Sequence, residues 1–174
     1  MATITKLEAA RRHLDQAIRL FFEERDALSI HTLASAAQGI LRDIAKANGA
    51  QHLSILHDHP HIPSERRKDW VKAINAPRNF FKHADCDPSG TLEFDEMENE
   101  TVLLDAVFLY GTVADDHLSA ASVYMGWFTT KNPELRLTIS GNQIGDYCVR
   151  NSISPSSKTK FLELIDARVL IEPV

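Results

Sequence analysis

Two apolar stripes that repeat with the period of an α-helix occupy the first fifty residues of the chain. They consist of Leu7, Ala10, Leu14, Ala17, Ile18 and Phe21, and then of Ile30, Leu33, Ala37, Ile40, Leu41 and Ile44. This spacing predicts amphipathic helices over about 5–25 and 29–48. Thr5 and Glu8 have the spacing of a capping box, and Ser29 is the predicted N-cap of the second helix. Because the connection between them is short, we expect an antiparallel pair.

The rest of the chain continues the helical pattern. Further helices are predicted over about 64–75, 77–84, 95–114, 116–129 and 155–170. Pro77 predicts a kink or a restart near Ala76, with the proline at the first position of a new short helix. Only 91–94 and 136–139 have the character of short strands. The sequence therefore predicts one all-α domain over 1–174, a bundle of about six helices.

Composition and charge limit the classes of function. The 24 acidic residues outnumber the 19 basic ones, which gives a net charge of −5 and an isoelectric point near 5.9. This balance argues against general DNA binding, and any nucleic-acid contact needs a local basic patch. Cys86 and Cys148 are isolated, which is typical of a reducing cytoplasm. No secretory signal is visible, and the longest apolar run contains Asp105 and is too short for a bilayer. We expect a soluble cytoplasmic protein.

The stretch RNFFKH contains a candidate catalytic set, Arg78, Asn79 and His83. Asn79 and His83 are four residues apart, so on a helix they face the same way, with Arg78 a little further round. A histidine can take the proton of a ribose 2′-hydroxyl near neutral pH, and an arginine can hold the phosphate on which charge develops. Attack of the 2′-oxygen then leaves a cyclic phosphate and needs no metal.

An all-α bundle with this Arg-(polar)-x3-His motif resembles the HEPN superfamily. The resemblance implies a compact helical fold that usually dimerises, and many members are RNases of toxin–antitoxin, phage-defence or RNA-processing systems. Others bind nucleotides or act as scaffolds. On this resemblance His83 is the expected base, Arg78 the phosphate clamp and Asn79 a positioning residue. RNA is the expected partner, together with a second copy of the chain.

The next twelve residues, DCDPSGTLEFDE, resemble an EF-hand calcium loop. Its ligand positions fall on Asp85, Asp87, Ser89, Thr91 (through its carbonyl), Glu93 and Glu96, all of them hard oxygen donors. Gly90 stands at the sharp bend of such a loop. No second loop of this kind occurs in the chain, although EF-hands work in pairs. The alternative to calcium binding is an acidic turn in which Asp95 caps the following helix.

Histidines are concentrated in the loop QHLSILHDHPHIP. A zinc or nickel site there would use His52, His57, His59 and His61 with Asp58, and a polar, proline-bounded loop explains the same composition. Two functions therefore stay open. One is a metal-independent HEPN-like RNase with no cofactor, and the other is a non-catalytic bacterial interaction or regulatory module that binds Ca²⁺ through residues 85–96.

Overall fold

The computed structural model describes residues 3–50, 53–58, 60–85, 87–135 and 139–167, and of 139–142 it describes the backbone only. Within these ranges the chain forms seven α-helices and no strand, which confirms the predicted all-α bundle. The helices are α1 (Lys6–Phe22), α2 (Ala27–Ala47), α3 (Arg67–Phe80), α4 (Glu98–Val113), α5 (Ser119–Lys131), α6 (Ile139–Arg150) and α7 (Lys158–Asp166).

The first two helices pack closely against each other, and α4 packs on α2. At the start of α1 the Thr5 hydroxyl accepts a hydrogen bond from the backbone N–H of Glu8, at 3.1 Å, as the capping pattern predicts. The prediction of Ser29 as the N-cap of α2 is wrong. Asp26 caps that helix, because its carboxylate accepts the backbone N–H of Ser29 at 2.8 Å.

Aromatic side chains in the core join α1, α5 and α7. Phe21 lies against the ring of Trp127 at a centroid distance of 4.9 Å, and Phe22 stacks on Phe161 at 5.5 Å. The predicted apolar stripe of α1 is buried from Ala10 to Phe21. α5 is buried on most of its sides, including Trp127.

Two element predictions are corrected. Pro77 does not separate two helices, since α3 continues through it and the backbone N–H of Phe81 bonds to the Pro77 carbonyl at 3.0 Å. Proline leaves the carbonyl of Ala73 without its helical donor, and the burial of the Pro77 ring offsets that loss. The segment 91–94 is not a strand.

The sequence prediction missed α6. Ile144 of this helix packs onto Gly126 of α5, where a Cβ would lie only 2.1 Å from the Ile144 Cγ2 atom. The glycine therefore lets the two helices approach closely. Ile139, predicted to end a strand, begins α6, whereas 136–138 lie outside the described residues, as do the last residues of the predicted helix 155–170.

Helix α3 runs along α2 in the opposite direction. Phe81, just after α3, contacts His31 near the start of α2, and Arg78 contacts Gly39 about two turns further along α2. Helix α4 runs parallel to α2, because His31 pairs with Asn99 and Gln38 with Asp105. This arrangement places the end of α3, which carries the RNFFKH motif, at the edge of the bundle.

Candidate functional site

The end of α3 presents Asn79 and His83 to solvent. The backbone N–H of His83 donates to the carbonyl of Asn79 at 3.0 Å, so one further helical turn follows Phe80. The two side chains lie one turn apart on the same side, and both residues are exposed. Both side chains are therefore accessible to a ligand from solvent.

Arg78 takes a different position, half-buried against α2. Its guanidinium lies over the backbone of Gly39, where a Cβ atom would come within 3.0 Å of Nη1 and 3.1 Å of Nη2. Within the described part of the chain Arg78 makes no ion pair. The absence of a side chain at Gly39 therefore leaves the space that the Arg78 guanidinium occupies.

The structure brings together only part of the predicted catalytic set. A residue five positions along a helix is rotated by about 140°, so Arg78 and His83 of the same chain face different directions. Asn79 and His83 share a face, as predicted, whereas Arg78 lies on the side that packs against α2. Within one chain the guanidinium and the imidazole do not form a joint phosphate site.

An aromatic cluster holds the end of α3 in place. The His31 ring lies edge-on to Phe81 and Phe94, at centroid distances of 5.6 and 5.1 Å, and the two phenylalanines are 5.3 Å apart. His31 is 1% exposed, and its Nδ1 lies 3.0 Å from the Asn99 side-chain oxygen. Burial lowers the pKa of His31. This imidazole is therefore a neutral part of the packing.

The acidic segment after His83 is exposed at its predicted ligands Asp85, Asp87, Ser89, Thr91, Glu93 and Glu96. The Asp87 carboxylate lies over Gly90, whose backbone N–H donates to the Asp87 carbonyl at 3.2 Å. Asp95 accepts the backbone N–H of Met97 at 2.9 Å, next to the start of α4. Among the residues described here, no three Asp, Glu, His or Cys side chains gather as they would around a metal ion.

A buried polar cluster lies between α2, α4 and the loop 53–58. Asp105 is fully buried and accepts hydrogen bonds from Gln38 Nε2 at 2.8 Å, from the Ser54 hydroxyl at 2.7 Å and from the backbone N–H of Ile55 at 2.6 Å. Three donors from two distant segments thus surround one carboxylate. The cluster attaches the loop to the helices.

His57 belongs to the same cluster. Its Nδ1 lies 3.0 Å from Gln38 Nε2, and its Nε2 lies 3.4 Å from the Asn75 side-chain oxygen on α3. Because the amide nitrogen of Gln38 is a donor, Nδ1 accepts and the ring is neutral. Burial, and then the positive charge of Arg42, lower the pKa of His57.

The loop 53–58 also holds α3 directly. Trp70 Nε1 donates to the Leu56 carbonyl at 2.6 Å, and Arg67 donates to the His57 carbonyl at 3.2 Å. Asp58 pairs with Arg42 of α2 at 3.1 Å. Of the predicted histidine metal site, His57 and Asp58 are thus engaged within the protein, and His52 and His59 lie outside the described residues.

Sequence reasoning missed the residues that position the site, namely Gln38, Ser54, Asp105, His31 and Asn99. Two signals were present. Asp105 interrupts the apolar run VLLDAVFLY, and Gln38 lies next to the buried Ala37 of α2. A charged residue inside an apolar run predicts a buried, hydrogen-bonded group, although its partners are far away in the sequence.

Comparison with protein-family models, with curated protein sequences and with solved structures found no match for this chain. The helices within the described ranges are too short or too polar for any of them to cross a membrane.

Proposed function

We propose that this chain is a HEPN-like, metal-independent ribonuclease in which His83 is the general base. The observation that carries the proposal is the exposure of Asn79 and His83, one turn apart, at the end of α3. These two residues are the polar residue and the histidine of the RNFFKH motif. In this reaction the His83 imidazole removes the proton of a ribose 2′-hydroxyl. The 2′-oxygen attacks the adjacent phosphorus as its bond to the 5′-oxygen breaks, and the 5′-oxygen takes a proton from water, which yields a 2′,3′-cyclic phosphate and a 5′-hydroxyl end.

The phosphate clamp in this proposal comes from a second copy of the chain. Arg78 has no carboxylate partner among the described residues, so its charge is available to an anion. Since it faces away from the His83 of its own chain, we assign the clamp to the partner subunit's Arg78 in a homodimer. Each of two equivalent sites then combines residues of both chains, as two-fold symmetry requires.

The first test measures cleavage of mixed RNA in excess EDTA by the wild type and His83→Ala. We expect the variant to lose about 10²-fold or more of the rate, the usual contribution of a general base. His117→Ala, which removes another exposed histidine, is the matched control and should cleave like the wild type. Fragments should end in cyclic phosphate. Equal cleavage by His83→Ala and the wild type contradicts the proposal.

The second test asks whether the sites are shared between chains. His83→Ala and Arg78→Ala are each expected to be inactive as pure proteins. After mixing and exchange of subunits, half of the dimers are hybrids with one intact site, so about one quarter of the wild-type activity returns. Absence of recovery, despite hybrids detected by native mass spectrometry, excludes the shared site.

The non-catalytic alternative makes a different prediction. If purified protein leaves RNA intact in both EDTA and Mg²⁺, the interaction or regulatory module becomes the better assignment. Thermal melting with and without Ca²⁺ then tests residues 85–96, because a ligand that binds only the folded state raises the melting temperature. Glu96→Gln removes the twelfth position of the loop and should abolish any such increase.

A further inference from the structure

The segment from 64 to 83, which contains α3, is the most basic part of the chain. It carries Arg66, Arg67, Lys68, Lys72, Arg78 and Lys82, against only Glu65 and Asp69. The chain as a whole has an excess of acidic residues. The positive charge is therefore local, as contact with a polyanion requires in an acidic protein.

Most of the described cations outside this segment are paired with carboxylates, whereas those of the segment are not. Arg11, Arg12, Arg19, Arg25, Arg42, Lys131, Lys158 and Lys160 all form ion pairs with carboxylates. In the described part of the chain, none of the basic side chains of 64–83 does so. Arg67 donates to backbone carbonyls instead. The charge on α3 is thus not balanced by the fold.

Helical geometry aligns part of this charge with the candidate site. At about 100° per residue, Lys68, Lys72, Asn79 and His83 fall within about 60° of one another around the axis, over a rise of about 22 Å. All four residues are exposed. Phe80 flanks this face and is 39% exposed, so its ring is accessible to a flat apolar group. Groups that can bind phosphate and stack on a base therefore lie along α3 and lead to His83, just after its end.

We propose that single-stranded RNA binds along this face of α3, with Lys68 and Lys72 on its phosphates and Phe80 stacked on a base. The inference rests on the proposed function for the identity of the polyanion. Stacking on an exposed aromatic ring requires an unpaired base, which selects a single strand over a duplex. Such sites combine basic residues with aromatic platforms.

The face also has a defined end. Beyond His83 the segment 85–98 carries six acidic residues and no Lys or Arg. Like charges repel the phosphates there. The bound strand therefore extends from His83 towards the N-terminus of α3, and Asp69 is the one carboxylate of α3 itself.

Binding is tested by fluorescence anisotropy with a labelled single-stranded 12-nucleotide RNA, in a His83→Ala background that prevents cleavage. Lys68→Ala combined with Lys72→Ala removes two phosphate contacts. Each contact contributes about 0.7 to the slope of log K against log salt for a single strand, so the slope should fall by about 1.4 and affinity at 0.1 M salt by about 25-fold. Asp69→Asn should increase the affinity.

The matched control is Lys6→Ala combined with Lys46→Ala, which changes the net charge equally at two exposed lysines outside α3. The proposal is supported if this double variant binds RNA like its parent while the Lys68→Ala, Lys72→Ala variant loses affinity. Equal loss in both pairs overturns it, because net charge alone then explains binding. Circular dichroism melting of each pair verifies folding.

The assignment to a single strand is tested separately. Phe80→Ala should weaken binding of the single-stranded probe about tenfold, the loss of one stacked base, while Lys6→Ala leaves it unchanged. A duplex of equal length that binds as tightly as the single strand overturns the proposal. The RNA-binding proposal and the RNase proposal can fail separately. If the wild type binds RNA as expected but does not cleave it, the RNA-binding surface on α3 is supported and the RNase proposal is rejected.

Discussion

Gly39 allows the Arg78 guanidinium to lie against the backbone of α2. Glycine is unfavourable inside a helix by about 1 kcal/mol relative to alanine. The space beside Gly39 therefore lowers the stability of α2. The space is used by the guanidinium, whose Nη1 would be 3.0 Å from an added Cβ. The orientation of Arg78 thus depends on a residue of another helix.

Gly39→Ala tests the role of Arg78 in RNA cleavage without lowering the stability of the protein. The gain in helix propensity offsets the displacement of a flexible side chain, so we expect the melting temperature to stay equal or rise. We also expect cleavage of RNA to fall, because the added methyl group moves the guanidinium by a few tenths of an ångström. The measurements are thermal melting and the cleavage rate.

Gly111→Ala is the control for this prediction. Gly111 lies inside α4, and a Cβ there has no heavy atom within 4 Å. The variant should be more stable by up to about 1 kcal/mol, or about 2–4 °C in melting temperature, and should leave cleavage unchanged. If both glycine variants keep full activity, the contact between Arg78 and Gly39 has no part in catalysis.

At the scale of elements, α3 is held mainly through the loop 53–58. Asp105 of α4 fixes Ser54 and Ile55 of the loop, and the loop carbonyls of Leu56 and His57 accept bonds from α3. Removal of this carboxylate would take the acceptor from three hydrogen bonds in or beside the core. Asp105 is therefore linked to the position of α3 by direct hydrogen bonds.

Asp105→Ala should be strongly destabilising. Loss of the carboxylate removes the acceptor of three hydrogen bonds and creates a cavity, so the free energy of unfolding should fall by about 3 kcal/mol or more. Asp105→Asn keeps the volume and should lose less. Urea unfolding measures both. Asp43→Ala, at an exposed position of α2, is the control and should remain within about 0.5 kcal/mol of the wild type.

Over the whole molecule, two buried histidines make folding dependent on pH. His31 and His57 both have a lowered pKa, and burial is the largest cause in each case. The unfolded chain therefore binds more protons than the folded one below the ordinary histidine pKa of about 6.5. Their contribution to stability is complete above that value and is lost as the pH falls through it towards the folded-state pKa.

The free energy of unfolding should consequently decrease between pH 7.5 and pH 5. Urea unfolding at several pH values measures this, and combining His31→Gln with His57→Gln should flatten the dependence while lowering stability at pH 7.5. His117→Ala, at an exposed position, should leave the slope unchanged. A stability that is constant over this range contradicts the assignment of neutral, buried imidazoles to both positions.

The candidate site was predictable in part. The RNFFKH motif, its place near the end of a helix and the shared side of Asn79 and His83 follow from the sequence, whereas their exposure comes from the structure. The packing of Arg78 on Gly39 does not follow, because the two residues belong to different helices. The cluster around Asp105 was missed for the same reason, since Gln38 and Ser54 are far from it along the chain.

The sequence alone determined the helical class and the amphipathic helices α1 and α2, because apolar periodicity and capping act over neighbouring residues. Tertiary structure decided the rest. It continued α3 through Pro77, packed α6 on Gly126 and placed the Arg78 guanidinium against Gly39. The physical reason is that these contacts join residues that are far apart in the sequence. The residues next to each partner therefore do not predict which contact it will make.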